Sequence, residues 1–213
     1  MRNAVVLRNV SKSFKKEKVL KNITHSFEQG KIHGIMGFNG SGKTVMFKCI
    51  CGFLRPDAGA VYVQGRRIGR EIDFPESVGM IIESPGFLPH ISGYANLKRL
   101  ADIRRKIGRE EINEAMVKVG LDPFSKKKVG QYSLGMRERL GIAQAIMEDP
   151  ALLVLDEPFN GLDKRGAADV CDLLAGLREK GTTILIAAHN IMEIEYLCDT
   201  VCEMDAGVLT QIR

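Results

Sequence analysis

The sequence predicts an α/β fold built on a parallel sheet, and three observations lead there. Apolar runs at 78–82, 152–155 and 182–187 are short and unbroken, as strands buried on both faces are. Stretches with apolar residues three and four apart stand between them, the spacing of a helix with one buried face. A glycine-rich turn at 37–44 joins a strand-like run, 31–36, to a helix-compatible run, 45–50. Strand and helix patterns alternating in this way describe a parallel sheet with crossover helices.

In chain order, 4–10 and 23–27 alternate as antiparallel strands do, around a polar turn at 15–18. Val61-Tyr62-Val63 before Gln64-Gly65 reads as another strand and turn. A helical pattern covers 94–119: Leu97, Leu100, Ala101 and Ile103 recur at helical spacing, as do Ile112, Ala115, Met116 and Val119. Gly120 stands where a helix C-cap is expected. Met136, Leu140, Ala143 and Met147 form one helix face, with Ser133 as a candidate N-cap and Pro150 as the stop. Val170, Leu173, Leu174 and Leu177 mark a further amphipathic helix ended by Gly181.

The turn at 37–44 reads Gly37-Phe38-Asn39-Gly40-Ser41-Gly42-Lys43-Thr44, a G-x-x-x-x-G-K-T phosphate loop with the right flank on each side. Its glycines let successive backbone N–H groups face phosphate oxygens at a helix N-terminus. Lys43 supplies a positive charge for the β- and γ-phosphates, and Thr44 a hydroxyl for Mg²⁺. The strand 152–155 ends in Asp156-Glu157-Pro158. Ligands of parallel sheets bind at the carboxyl ends of strands, which puts Asp156 toward Mg²⁺ and Glu157 toward an attacking water. His189 follows the strand 182–187 and falls on the same edge, where it can bond the γ-phosphate or that water. His25, His33 and His90 read as structural.

Of the 213 residues, 45% are hydrophobic and 27% charged, ordinary for a globular protein and enough for one sizeable domain. No apolar run approaches the roughly 20 residues of a membrane span, and the first residues enter a strand pattern without a signal-peptide core. The expectation is a cytoplasmic protein. The net charge of +5 gathers at 15–21, 66–70, 104–109 and 126–128 without interleaved aromatics, so no nucleic acid is expected. Solvated surface and lipid headgroups both fit those clusters. Five cysteines (Cys49, Cys51, Cys171, Cys198 and Cys202) lack disulfide spacing, and no second pair completes a metal site with Cys198 and Cys202. They read as buried apolar residues in a reducing compartment.

Taken together, the phosphate loop, a segment at Glu83, Ser133-Leu134-Gly135, Asp156-Glu157, Asn160-Gly161-Leu162-Asp163 and His189 resemble the ATP-binding domain of ABC ATPases, in that family's order and along essentially the whole chain. The resemblance implies a P-loop NTPase fold: a RecA-like core, an antiparallel β subdomain and an inserted α-helical subdomain at about 84–148, all within one domain at 1–213. It implies Mg²⁺-dependent ATP hydrolysis by a homo- or heterodimer. In that dimer each ATP lies between the phosphate loop (Gly37, Asn39, Gly40, Ser41, Gly42, Lys43, Thr44) of one chain and Ser133 and Gly135 of the other. Glu157, His189 and Lys43 are the implied catalytic residues, Thr44, Glu83 and Asp156 the implied metal ligands, and Asp163 links the two sites. Phe14 either stacks on adenine or is a strand-end core residue. An integral membrane permease subunit is the implied partner, reached through the 83–93 loop, which holds the chain peripherally on the inner face of the cell membrane.

Two departures stand out. Glu83 replaces the family's usual Gln, and Tyr132, Leu134 and Met136 depart from the signature core Leu-Ser-Gly-Gly-Gln. The pattern is similar to the ATPases of bacterial exporters of bacitracin- and lantibiotic-type peptides. The alternative is a soluble ABC ATPase of DNA repair, chromosome organisation or translation.

Overall fold

A computed structural model describes residues 2–189 and 196–213. Strands β1 (Asn3–Phe14), β2 (Glu17–Glu28), β4 (Ala58–Val63) and β5 (Arg66–Arg67) form an antiparallel sheet in the order β2-β1-β4-β5. Strands β3 (Ile32–Met36), β6 (Val78–Ile81), β7 (Leu152–Asp156), β8 (Thr183–Ala188), β9 (Thr200–Asp205) and β10 (Val208–Gln211) form the second sheet, ordered β10-β9-β3-β8-β7-β6. Only β10 runs antiparallel to its neighbour there.

The period-two geometry of a strand explains why these runs are apolar throughout. Leu152, Val154, Leu185, Ala187 and Ile35 pack on one face with Met46, Phe47 and Ile50 of α1 (Lys43–Ile50) and with Val5, Leu7 and Val61 of the antiparallel sheet. Leu153, Leu155, Ile184 and Ile186 pack on the other, with Val170 and Leu174 of α5 (Lys164–Glu179) and Leu140 and Ile142 of α4 (Leu134–Ile146). Each strand residue therefore meets a hydrophobic layer whichever way it points.

Register levels the strand ends. Met36 pairs with Ala188, Asp156 with Ala187, and Ile81 with Leu155. The residues that follow β3, β8, β7 and β6 thus stand side by side along one edge of the sheet.

Between β6 and β7 lie α2 (Gly93–Arg104), α3 (Arg109–Lys118), a 3-10 turn (Val129–Gln131) and α4. The single pattern at 94–119 is two helices, because Arg105 turns left-handed (φ 52) to close α2 and Glu111 accepts a hydrogen bond from the Gly108 N–H, 2.8 Å, to start α3. Ile103 falls off the buried face and is 77% exposed, whereas Ile112, Ala115, Met116 and Val119 are buried as the spacing predicts. Helix α4 lies so close to β6 that a Cβ on Gly79 would sit 1.8 Å from the Ala145 carbonyl oxygen.

The hairpin β9–β10 had no strong sequence signal. It turns through Ala206 (φ 43) and Gly207 (φ 86), both left-handed, where the commoner residues are Asn-Gly or Asp-Gly.

The five cysteines are all buried, and none of them forms a disulfide. Burial pushes the Cys49 thiol up to about 11 and the Cys51 thiol up to about 12. Both stay protonated and shielded at pH 8, so maleimide labelling of the native protein should leave them unmodified, with full reaction only in denaturant. Rapid native labelling of either would contradict their packing. His33 is buried and bonded on both ring nitrogens, to Thr200 Oγ1 at 2.7 Å and the Glu28 carbonyl at 2.8 Å, as a structural histidine is. His90 is exposed.

Candidate active site

The phosphate loop leaves β3 at Met36 and enters α1 at Lys43. Gly42 caps the helix with φ 114, and a side chain there would press on Val19 O at 3.0 Å and Leu20 Cδ2 at 3.1 Å. That position therefore requires glycine on both backbone and steric grounds. Lys43 is only 5% exposed, although charged. Its ammonium donates to the loop's own carbonyls, Gly37 O at 2.6 Å and Phe38 O at 3.2 Å, and stands 3.8 Å from Glu157 Oε1. Ser41 Oγ is the one buried side-chain oxygen or nitrogen without a hydrogen-bond partner among the described residues.

Thr44, one residue into the helix, donates from Oγ1 to Asp156 Oδ2 at 2.6 Å, which joins α1 to the end of β7. Glu157 continues the ladder with its N–H on Ala187 O, 2.9 Å, and then turns left-handed at φ 53. Non-glycine residues rarely adopt that region, and such strain clusters at working sites. The turn delivers the Glu157 carboxylate to three donors. Asn160 Nδ2 lies 2.9 Å and His189 Nδ1 3.3 Å from Oε2, and Lys43 stands beyond Oε1. Glu83, beyond the end of β6, is also left-handed, φ 62, and its Oε1 accepts from Lys48 Nζ at 2.7 Å.

Two cavities adjoin the loop. One, of about 290 Å³, is lined by Asn39, Thr44, Glu83, Ser84, Glu138, Asp156, Glu157 and Asn160. The other, of about 420 Å³, is lined by Val19, Asn39, Gly40, Gly42, Lys43, Thr44, Val45 and Glu157. Burial pushes the Asp156 carboxyl above its ordinary value. The Glu157 and Glu83 charges push the same way, against the Thr44 hydrogen bond and the Lys43 charge. Four carboxyl groups against two lysines, Lys43 in the loop and Lys48 on Glu83, leave the site short of positive charge. A hydroxyl and a carboxylate held together, with further acidic oxygens around them, are the hard donors that Mg²⁺ prefers. With the orphaned Ser41 hydroxyl and the buried Lys43, the residues present fit a Mg²⁺–nucleotide.

The fold thus gathers Gly37, Asn39, Gly40, Ser41, Gly42, Lys43, Thr44, Glu83, Asp156, Glu157 and His189 along one sheet edge. Ser133 and Gly135 line neither cavity. Ser133 caps α4, accepting from the Met136 N–H at 3.2 Å, and Leu134 beside it is 59% exposed. Phe14 ends β1 at 45% exposure with Lys12 Nζ 5.6 Å from its ring centroid, so the strand-end core reading of this residue falls. Sequence reasoning missed Lys48, Glu138 and the bond from Asn160 to Glu157. Only the helical spacing from Thr44 to Lys48 hinted at the first, because the others depend on where loops fold.

The family model described as ABC transporter matches residues 20–160. The chain belongs to that family. The ABC transporter ATP-binding protein YybJ of Bacillus subtilis (strain 168), itself uncharacterized, is 42% identical over 201 residues, 94% of this chain and 92% of that protein. The bacitracin transport ATP-binding protein BcrA of Enterococcus faecalis is 39% identical over 213 residues, 99% of this chain and 69% of that protein. The dimeric post-hydrolysis structure of the ATP-binding cassette MJ0796 bound to ADP and Pi superposes with a TM-score of 0.87, covering 98% of this chain and 99% of that one. At 23% identity that likeness concerns the fold.

This ABC protein is accordingly a Mg²⁺-dependent ATPase, the ATP-binding and ATP-hydrolysing subunit of a transporter. The soluble alternative in repair, chromosome organisation or translation is set aside, since these relatives carry transporter names. Subunits of this kind work with membrane partners. No helix among the described residues is long and apolar enough to cross a membrane.

Proposed function

We propose that this ABC ATPase powers export of a peptide antibiotic or a similar amphipathic compound through a separate integral membrane permease. Its place is the cytoplasmic side of the cell membrane, held there by that permease. The observation that carries the cargo class is the 39% identity with the bacitracin transport protein BcrA across nearly the whole chain.

The chain acts as a single domain, 1–213, with 84–148 as its helical insertion, and pairs head to tail with a second ATPase domain, identical or homologous. The phosphate loop amides and Lys43 hold the phosphates of ATP; Phe14 lies against the adenine. Thr44, Asp156 and Glu83 hold Mg²⁺, which neutralises phosphate charge when bound. Glu157 orients the attacking water through its carboxylate. His189 and Asn160 fix that carboxylate's direction, and His189 also senses the γ-phosphate. Ser133 and Gly135 meet the ATP of the partner domain, where the N-terminus of α4 offers unpaired N–H groups and a partial positive charge. Asp163 relates the two sites. The 83–93 loop faces the permease because it leads directly from Glu83 into α2.

A divided site makes hydrolysis depend on association. Specific activity should therefore rise with protein concentration until the dimer is saturated, and a specific activity independent of concentration in a proven monomer would refute the shared site. Affinity capture of the tagged protein from gently solubilised membranes tests the transporter assignment. A stoichiometric multi-span protein is the expected co-eluate, and recovery with DNA or ribosomal components instead would overturn the assignment.

A further inference from the structure

The departure at Glu83 is matched by a second charge, Lys48, that lies outside the catalytic and nucleotide-binding set. Lys48 lies one helical turn beyond Thr44 on α1, so the two side chains share a face. Thr44 reaches the end of β7 at Asp156, 2.6 Å, and Lys48 reaches past the end of β6 to Glu83, 2.7 Å. Strands β6 and β7 are neighbours. The two links are therefore parallel, and the Glu83 carboxylate lies beside the Thr44–Asp156 pair at the rim of the same cavity. Its charge reaches Asp156, where it helps to push that carboxyl upward.

We propose that Lys48 is a positioning residue of the ATPase site: it holds the Glu83 carboxylate at the rim of the cavity and competes for it with the divalent cation. The proposal rests on the reading of this cavity as the Mg·ATP site. An amide at position 83 would need no counter-ion, whereas a carboxylate beside Asp156, Glu157 and Glu138 does. Lys48 supplies one without entering the phosphate loop. The pair is open to solvent, with side-chain exposures of 28% and 66%. Exposed pairs are weak, so a bound divalent cation can draw Glu83 away from Lys48 at little cost. The left-handed backbone at Glu83 marks a residue held by its surroundings, and loss of the Lys48 contact changes what holds it.

The test measures Mg²⁺-dependent binding of a fluorescent ATP analogue, without turnover, in a Glu157→Gln background. Lys48→Gln should lower the Mg²⁺ concentration for half-maximal binding by roughly two- to five-fold, the size expected of an exposed pair. Glu83→Gln should raise it, and Lys48→Gln combined with Glu83→Gln should match Glu83→Gln alone, because Lys48 acts through Glu83. Lys48→Arg should restore the parent value. The melting temperature of the nucleotide-free protein separates this effect from misfolding, and Lys48→Met carries the same test if Lys48→Gln is not recovered folded. A Lys48→Gln shift that persists undiminished without Glu83, or no shift at all, overturns the proposal. Absence of Mg²⁺-dependent nucleotide binding in the parent protein would instead sink the assignment of the cavity itself.

Discussion

Glu157→Gln should reduce ATP turnover by about 10²- to 10⁴-fold, the contribution of a positioned acid–base group, while leaving nucleotide binding intact. The substitution keeps the volume and the planar end group, so the left-handed turn at φ 53 and the neighbouring Asn160 remain in place. It removes one acceptor oxygen and the negative charge that stands 3.8 Å from Lys43. An amide does not draw a proton from water as a carboxylate does, so the bound ATP persists. Mg·ATP should then trap a dimer visible by size-exclusion chromatography. Single-turnover hydrolysis at the parent rate would remove Glu157 from the chemistry. His189→Ala, which takes away a donor 3.3 Å from the same carboxylate, should lower turnover without trapping the dimer as fully.

Gly79→Ala should destabilise the protein strongly. The added carbon would lie 1.8 Å from the Ala145 carbonyl oxygen and 2.9 Å from Pro150 Cγ. Backbone, not a flexible side chain, is what it meets, so α4 has to move off β6. Overpacking of this kind costs about 3 kcal/mol, which lowers the melting temperature of a domain this size by roughly 6–12 °C. Gly86→Ala is the control: nothing lies within 4 Å of the added carbon, and thermal unfolding should be unchanged. An equal loss at both positions would show that helix packing on β6 is not what Gly79 protects. Because α4 is capped by Ser133 at one end and packs against β6 at the other, a shift there also moves the helix N-terminus proposed above to meet the partner domain.

The strands of the parallel sheet were the most legible part of the fold. Leu152-Leu153-Val154-Leu155 and Ile184-Leu185-Ile186-Ala187 show no alternation because both faces are covered. Runs this short are too brief for a buried helix, so a strand between two apolar layers is what remains. The break between α2 and α3 was less legible. It rests on Arg105 in a left-handed turn and on Glu111 reaching back to Gly108, local bonds that leave the helical spacing on each side undisturbed. The hairpin β9–β10 was hidden because Ala206-Gly207 is a weak turn signal and β9 is held by pairing with β3, far away in sequence. Phe14 shows the same limit: an aromatic ending a strand fits a core or a binding face equally until its exposure is known.

By itself the sequence determined the chemistry available: a glycine-rich loop with Lys43 and Thr44, two acids after a buried strand, and a histidine after another, all spaced by elements of recognisable type. Spacing along a chain is enough for this because loop, strand end and helix start are local structures. Only the tertiary structure decided how these pieces face one another. Strand β8 lies between β3 and β7, which lets His189 meet Glu157, and β6 lies beyond β7, which brings Glu83 to Lys48. Strand order is set by long-range burial of both sheet faces, and no local pattern encodes it. The pairing of Lys48 with Glu83, two charges that looked unrelated in sequence, is a consequence of that order.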